Sequence, residues 1–335
     1  MGVKSIVKSN KWQWLVILVL IILATFWTLI NLAHAQASAQ QKKDFLWSFK
    51  TDKATIYLLG SLHLLNADSY PLDKNIEAAY KDCQRVVFEA DIDGAKEPEF
   101  QSKLLALGFY PEGETLRQNI SEETYSLLEK RATTIGVTMA QLNPLKPWLC
   151  ASAISELEFM KMGFDPQYGV DVYFFDKAKK DSKETLFLET LDFQMKLFTE
   201  LNAKEEDALL QQTLKDLEVI ETMLPDIVGA WENGDAVRLG SIMTMSFKDL
   251  PEIYDRFVAQ RNKAWVDTIE HLVAQGGITL IVVGAGHLVG PDNLLQLLRN
   301  RDYTIEQIPA HAGVAAFSAQ NLAQAIYIRS ETKES

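Results

Sequence analysis

The sequence predicts an α/β fold: a central mixed sheet built from two strand, G-x-x-H, helix, strand units, with a large helical insertion between them. Two matching stretches carry this expectation. In the first, the β-rich run ATIYLLG ends at Gly60 and His63 follows in a loop. Pro71 then opens an amphipathic helix with Leu72, Ile76, Ala79 and Tyr80 on its apolar face, and RVVFEAD resumes strand. In the second, ITLIVVG ends at Gly284, His287 follows, Pro291 opens PDNLLQLLRN, and YTIEQI is the next strand. Such units belong to layered α/β proteins.

The sequence between them is mostly helical in pattern. SEETYSLLEKRATTIG starts at a Ser and stops at a Gly; PWLCASAISELEFMKMG, GVDVYFFDKAKK, KEEDALLQQTLKDLEVIETML and the run from Asp249 to Gln275 follow. One further strand, ETLFLE, ends on Glu189. No Gly/Ser linker, Pro-rich tract or charge run divides the chain, so residues 40–330 read as one domain.

The N-terminus reads as an export segment. Three lysines precede the apolar block from Trp14 to Leu32, and the small residues AHAQASA follow. Residues 1–37 are either a signal peptide cut at about residue 35–37 or an anchor through residues 14–32, since a block of 19 residues is long for the first and just enough for the second. Both options place the domain outside the cytoplasm, in a periplasmic setting. Without residues 1–35 the chain carries 30 basic and 45 acidic residues, a net charge of −15, which argues against nucleic acid as a partner. It also favours neutral or basic substrates. Cys83 and Cys150 stand in no metal-finger or CxxC spacing and are given no catalytic role.

Only five histidines are present, at 34, 63, 271, 287 and 311, and two fall in the same local pattern. Alone, a histidine at a strand end is an ordinary hydrogen-bonded residue; its repetition in matched context argues for a site. Ligands of open α/β sheets bind beyond the carboxyl ends of strands, where both histidines are expected. Two imidazoles brought together there suit a divalent metal. Glu89 and Glu189, each at the end of an apolar strand, need partners too, because burying a carboxylate costs several kcal/mol unless it is paired or ligated. Asp171 stands at a helix start, where an acid is also an ordinary cap. No G-x-S-x-G, H-E-x-x-H, Walker A or G-x-G-x-x-G motif occurs.

The ordered set GSLH, FEAD, PLKPW, YGVD, LETLDFQ, QRNKAW and VGAGHLVGPDNLLQLL resembles the TraB/GumN family over about residues 45–310. That family includes the animal TIKI proteins. The resemblance implies a fold similar to the erythromycin-esterase and ChaN-like proteins, with the G-x-x-H loops facing each other. It also implies divalent-metal-dependent proteolysis, with manganese or cobalt and with zinc as a further candidate. Residue by residue, it matches His63 and His287 to the two motif histidines, Glu89 to the acid of the strand following the first, Glu189 and Gln194 to an E-x-x-x-x-Q element, Asp171 to the acid after a central glycine, and Arg261 with Asn262 to a helical pair.

The expectation is therefore a metal-dependent hydrolase acting on peptides or proteins outside the cytoplasm. His63, His287 and Glu89 are the expected ligands and Glu189 the base, with the two glutamates interchangeable in role. Arg261, aided by Asn262, is expected to stabilise the oxyanion, and Asn262, Asp171 and Gln194 to contact substrate. Two alternatives stay open: haem or small-ligand binding through the paired histidines, and a metal-free hydrolase using histidine and glutamate.

Overall fold

Unbroken apolar runs mark strands buried on both faces, and alternating or mixed runs mark strands with an open side. The computed structural model, which describes residues 42–311, sorts the strands in this way. It has a six-stranded mixed sheet in the order β4-β3-β5-β2-β1-β6. In chain order the strands are β1 (Lys43–Lys50), β2 (Ala54–Ser61), β3 (Arg85–Phe88), β4 (Glu184–Phe187), β5 (Gly277–Gly284) and β6 (Glu306–Pro309). The central β5, β2 and β3 carry the near-continuous apolar runs ITLIVV, ATIYLL and VVF, whereas the edge strands β4 (ETLF) and β6 (EQIP) have no fully buried residue. Each buried Val, Leu or Ile contributes about 1.5–3 kcal/mol, so the centre of the sheet carries much of the hydrophobic stability.

The strands β4, β3, β5 and β2 are mutually parallel; β1 runs antiparallel to both β2 and β6. The segment KDFLWSFK, which forms β1, lacks the clean alternation of a half-buried strand, because Phe45, Leu46, Trp47 and Phe49 are all buried. Helix α1 (Lys74–Asp82) links β2 to β3, which lies on the far side of β5, and α11 (Leu294–Arg299) links β5 to β6 at the opposite edge. Between β3 and β4 come α2 (Pro98–Gly108), α3 (Glu122–Ile135), α4 (Pro147–Lys161) and α5 (Val170–Lys180); between β4 and β5 come α6 (Leu191–Thr199), α7 (Ala203–Glu218), α8 (Ile220–Glu232), α9 (Ala236–Ser246) and α10 (Gln260–Gln275).

Several boundaries differ from the sequence expectation for local reasons. Pro71 and Pro291 do not open their helices. Asp73 and Asn293 do, each accepting a backbone N–H inside the first turn, a cap worth about 1 kcal/mol. The pattern from Lys204 to Leu224 is two helices with a break at Val219, and the run from Asp249 to Gln275 includes a π-helical turn at Asp255–Ala259. Strand β4 stops at Phe187, two residues before Glu189. Cys83 and Cys150 are buried free thiols. The apolar block from Trp14 to Leu32 and the candidate cleavage residues lie outside the described residues; among those described, no helix is long and apolar enough to cross a membrane.

Candidate functional site

Four parallel strands present their carboxyl ends on one side of the sheet, and each end delivers one titratable side chain. Glu189 follows β4, Glu89 follows β3, His287 follows β5 in a 3-10 turn (Ala285–Leu288), and His63 follows β2. In the spatial order of the strands the row is Glu189, Glu89, His287, His63. This is the strand-end crevice that open α/β sheets use for ligands. Backbone pairing holds the two acids in step, since the Glu189 N–H donates to the Glu89 carbonyl at 2.9 Å. Ser61 and Gly284 are register partners, so the two histidine loops leave the sheet at the same level.

Helix α10 lowers Arg261 into this row. Its Nε donates to both oxygens of Glu189 at 3.1 Å, and Nη2 to Glu189 Oε1 at 2.5 Å and Glu89 Oε2 at 2.6 Å. Nη1 donates to the Phe257 carbonyl at 2.9 Å, exposed by the π-helical turn, and meets His287 Nε2 at 3.0 Å. A guanidinium has five N–H groups. All five are committed, so Arg261 has no donor left for a substrate oxyanion. Glu189 is equally committed: Gln194 Nε2 and Trp265 Nε1 add donors at 2.9 and 3.1 Å, and its side chain is buried. A carboxylate accepting from three side chains in this way anchors the site and has no lone pair aimed at a water.

His287 is held neutral. Asn262 Nδ2 donates to the Asp292 carbonyl at 3.0 Å, which fixes Asn262 Oδ1 toward His287 Nδ1 at 2.8 Å. An amide oxygen only accepts, so Nδ1 carries the proton and Nε2 offers its lone pair to Arg261 Nη1. Burial pushes the His287 pKa down to about 3, in spite of the nearby Glu89 carboxylate. The ring also lies 4.4 Å from the Trp265 ring centroid. Glu89 behaves oppositely. Burial would raise its pKa, but the Arg261 guanidinium, the His63 imidazolium and a 2.6 Å hydrogen bond from the Gly284 N–H outweigh that and hold it below the usual carboxylate range.

His63 is held cationic. Its Nδ1 lies 3.1 Å from Asp171 Oδ2, and that carboxylate raises the imidazole pKa to about 9. The ring keeps 55% of its side-chain exposure, so water screens part of this attraction. Asp171 is in turn fixed by Ser61: the Ser61 hydroxyl donates to Oδ1 at 2.9 Å and lies 3.2 Å from the Asp171 N–H. Gly169 allows the approach, because a Cβ there would stand 2.6 Å from the His63 carbonyl. Asp171 is thus the orienting partner of His63 and does not cap α5, whose N-cap is Gly169.

Gly284 leaves a cradle between these groups. A Cβ built on it would lie 3.1 Å from His63 Nε2, 3.3 Å from Glu89 Oε1 and 3.7 Å from His287 Cδ2. The cavity above has a volume of about 240 Å³ and is lined by His63, Glu89, Asp91, Asp171, Leu191 and Gln194 among others. As arranged, these residues do not form a metal centre. Glu89 Oε1 and His287 Nε2 stand 3.8 Å apart, but the His287 lone pair is taken by Arg261, and among the described residues no group of three His, Cys, Asp or Glu side chains is placed to hold an ion.

Of the residues singled out in the sequence, His63, Glu89, Asp171 and Gln194 line the cavity. Glu189, Arg261 and Asn262 form its buried support: Asn262 is fully buried and spent on His287 and the Asp292 carbonyl, away from any substrate. Ser61 and Trp265 were not assigned roles. Ser61 sits in the quoted GSLH, and its signal was a hydroxyl at the last position of an apolar central strand, where a polar group needs a partner.

The chain is 27% identical to the uncharacterized protein YbaP of Escherichia coli K12, over 72% of this chain and 87% of that protein. It is 21% identical to an uncharacterized protein of Treponema pallidum, over 78% and 81% of the two chains, and 19% identical to the human metalloprotease TIKI1, over 90% and 70%. No solved structure matches it. The TraB/PrgY/gumN family model matches residues 45–307, which takes in all four strand ends and α10, and the chain belongs to that family.

Proposed function

We propose that the protein is a hydrolase of peptide bonds whose working pair is His63 and Glu89. The observation that carries this reading is the opposed charge of two side chains across one small cavity: an imidazolium held by Asp171 faces a carboxylate held by Arg261 and the Gly284 N–H. Titratable groups pushed apart in this way are how acid and base roles are divided at neutral pH. Glu89 Oε1 takes a proton from a water lodged over Gly284 as the water oxygen attacks the carbonyl carbon. His63 Nε2 gives its proton to the leaving nitrogen as the C–N bond breaks. Transfer of the proton from Glu89 back to His63, directly or through solvent, restores both. A substrate covering the cavity raises the Glu89 pKa by desolvation, which improves it as a base.

The relationship to TIKI1, named a metalloprotease, supports peptides as substrates. The cavity volume of about 240 Å³ falls below the usual range for ligand pockets, about 300–1,000 Å³, and suits a water and the reacting atoms of an extended chain better than a porphyrin. The N-terminal apolar block supports work outside the cytoplasm, which alkaline phosphatase fused after residue 41 would report as active only if exported.

The test is cleavage of a mixed peptide library by the full chain, with and without chelator. His63→Gln and Glu89→Gln are each expected to lose about 10²–10⁴-fold in kcat/KM, the usual share of an acid or base. Unchanged rates in both variants would remove the reading.

One observation favours a second reading, a divalent cation such as manganese, cobalt or zinc. Glu89 Oε1 and His287 Nε2 are spaced as neighbouring ligands, and His63 Nε2 faces the same cradle. It requires Arg261 Nη1 to release His287. Elemental analysis after dialysis against each metal, with His287→Ala alongside, decides: stoichiometric metal lost in the variant supports it, and no metal in either excludes it.

A further inference from the structure

Beside the cavity, across Asp91 and Leu191, a larger groove of about 650 Å³ runs between the start of α2 and the end of the edge strand β4. Its lining is divided. Phe100, Phe187, Leu188 and Leu191 give it an apolar floor, and Asp91, Glu97, Glu99 and Asp192 give it an acidic rim. Its one basic residue, Lys103, is bound to Asp192 at 2.6 Å. Glu97 and Glu99 are exposed and make no ion pair among the described residues. Phe187 is 38% exposed. Groove and cavity share Asp91 and Leu191, so the two adjoin and one extended chain can reach from one to the other.

We propose that this groove holds the stretch of substrate next to the bond being cut, and that it selects an extended peptide carrying a lysine or arginine beside an apolar side chain. The cutting rests on the hydrolase reading above; the binding does not. The apolar floor takes the body of the segment, and the unpaired carboxylates take its cation while repelling acidic sequences. Two exposed ion pairs amount to a preference on the order of tenfold. An acidic rim over an apolar floor does not suit a second copy of this acidic chain, which carries the same sign of charge.

Binding can be read without turnover. The full chain carrying His63→Gln is titrated with two fluorescent ten-residue peptides that differ only in having lysine or glutamate next to a central leucine. Expected is roughly tenfold tighter binding of the lysine peptide at low salt, a gap that closes in 0.5 M salt and in Glu97→Gln/Glu99→Gln, while Phe187→Ser weakens both peptides together. Equal binding of the two, a preference that survives the double glutamine change, or a groove closed by a self-association that Phe187→Ser abolishes each overturns the proposal. If the preference appears and the wild type cuts neither peptide, the groove stands and the hydrolase reading fails. If the wild type cuts both and binds them equally, the reverse holds.

Discussion

The two histidine loops leave adjacent strands at the same register, yet they differ in every electrostatic respect. His63 is half-exposed, paired with a carboxylate and raised to about 9; His287 is buried, paired with an amide and lowered to about 3. The same G-x-x-H sequence therefore does not fix a histidine's charge. The partner that arrives from elsewhere fixes it: Asp171 on α5 for one, Asn262 and Arg261 on α10 for the other. One loop is left reactive at the cavity, and its twin is absorbed into the support.

The change expected to break this contrast most is Arg261→Met. It leaves Glu189 buried without a countercharge and takes from Glu89 its direct ion pair, and breaking a buried pair costs about 3–5 kcal/mol. Urea unfolding should show a loss of that size. Arg261→Lys should recover little, because an ammonium cannot reproduce the forked contacts to two carboxylates. A loss below about 1 kcal/mol would mean the guanidinium is not what holds the row together.

Next come the histidines themselves. His287→Ala should cost stability, on the order of 2 kcal/mol from the lost packing and from leaving the buried Asn262 oxygen without its donor. His63→Ala should leave stability within about 1 kcal/mol and abolish turnover instead, since the ring is half in solvent. Thermal melts and peptide assays on the two variants separate these outcomes; a reversed pattern would merge the two roles.

The pH dependence of stability sharpens the contrast further. The folded pKa of His63 lies above its unfolded value, so its contribution is full below about 6.5 and fades as pH rises through about 9. The folded pKa of His287, about 3, and that of Glu89 lie below their unfolded values, so stability is lost as pH falls from about 6.5 toward 3. Melting temperature should peak near pH 6.5. The alkaline fall should vanish in His63→Gln and persist in His287→Gln.

The smallest effects test the relay behind His63. Asp171→Asn should pull the alkaline limb back toward pH 6.5 and reduce turnover. Ser61→Ala should cost only about 1 kcal/mol, one hydrogen bond to Asp171, with a slight shift of the same limb.

Much of the site was legible because strand ends are legible. Apolar runs closing on Gly60, on Phe88 before Glu89, on Leu188 before Glu189 and on Gly284 name four of its groups, and parallel pairing brings them together. The helices with a Ser or Pro start and a Gly stop, such as α3 and α4, could be read for the same reason: their boundaries are set by local chemistry. What could not be read is which groups touch. Arg261 lies in a helix 72 residues beyond Glu189, and only the crossing of α10 over the strand ends makes it a clamp instead of an oxyanion donor. Asp171 looked like a cap because caps are local, while its partner is 108 residues upstream. Strand β1 escaped notice because an antiparallel strand buried on both faces loses the period-two signature.

The pairing of Ser61 with Gly284 carries a mechanical consequence. His63 and His287 hang from the two innermost parallel strands, with no hinge between them and the most buried part of the sheet. The His63 loop is tied further by the Val170 N–H to the Leu62 carbonyl at 3.0 Å and the Asp165 N–H to the Leu65 carbonyl at 2.9 Å, so a large swing of it would break those bonds. Amide exchange at the strand ends should then be as slow as in the centre of the sheet, and heating should melt the histidine loops and the sheet in one step.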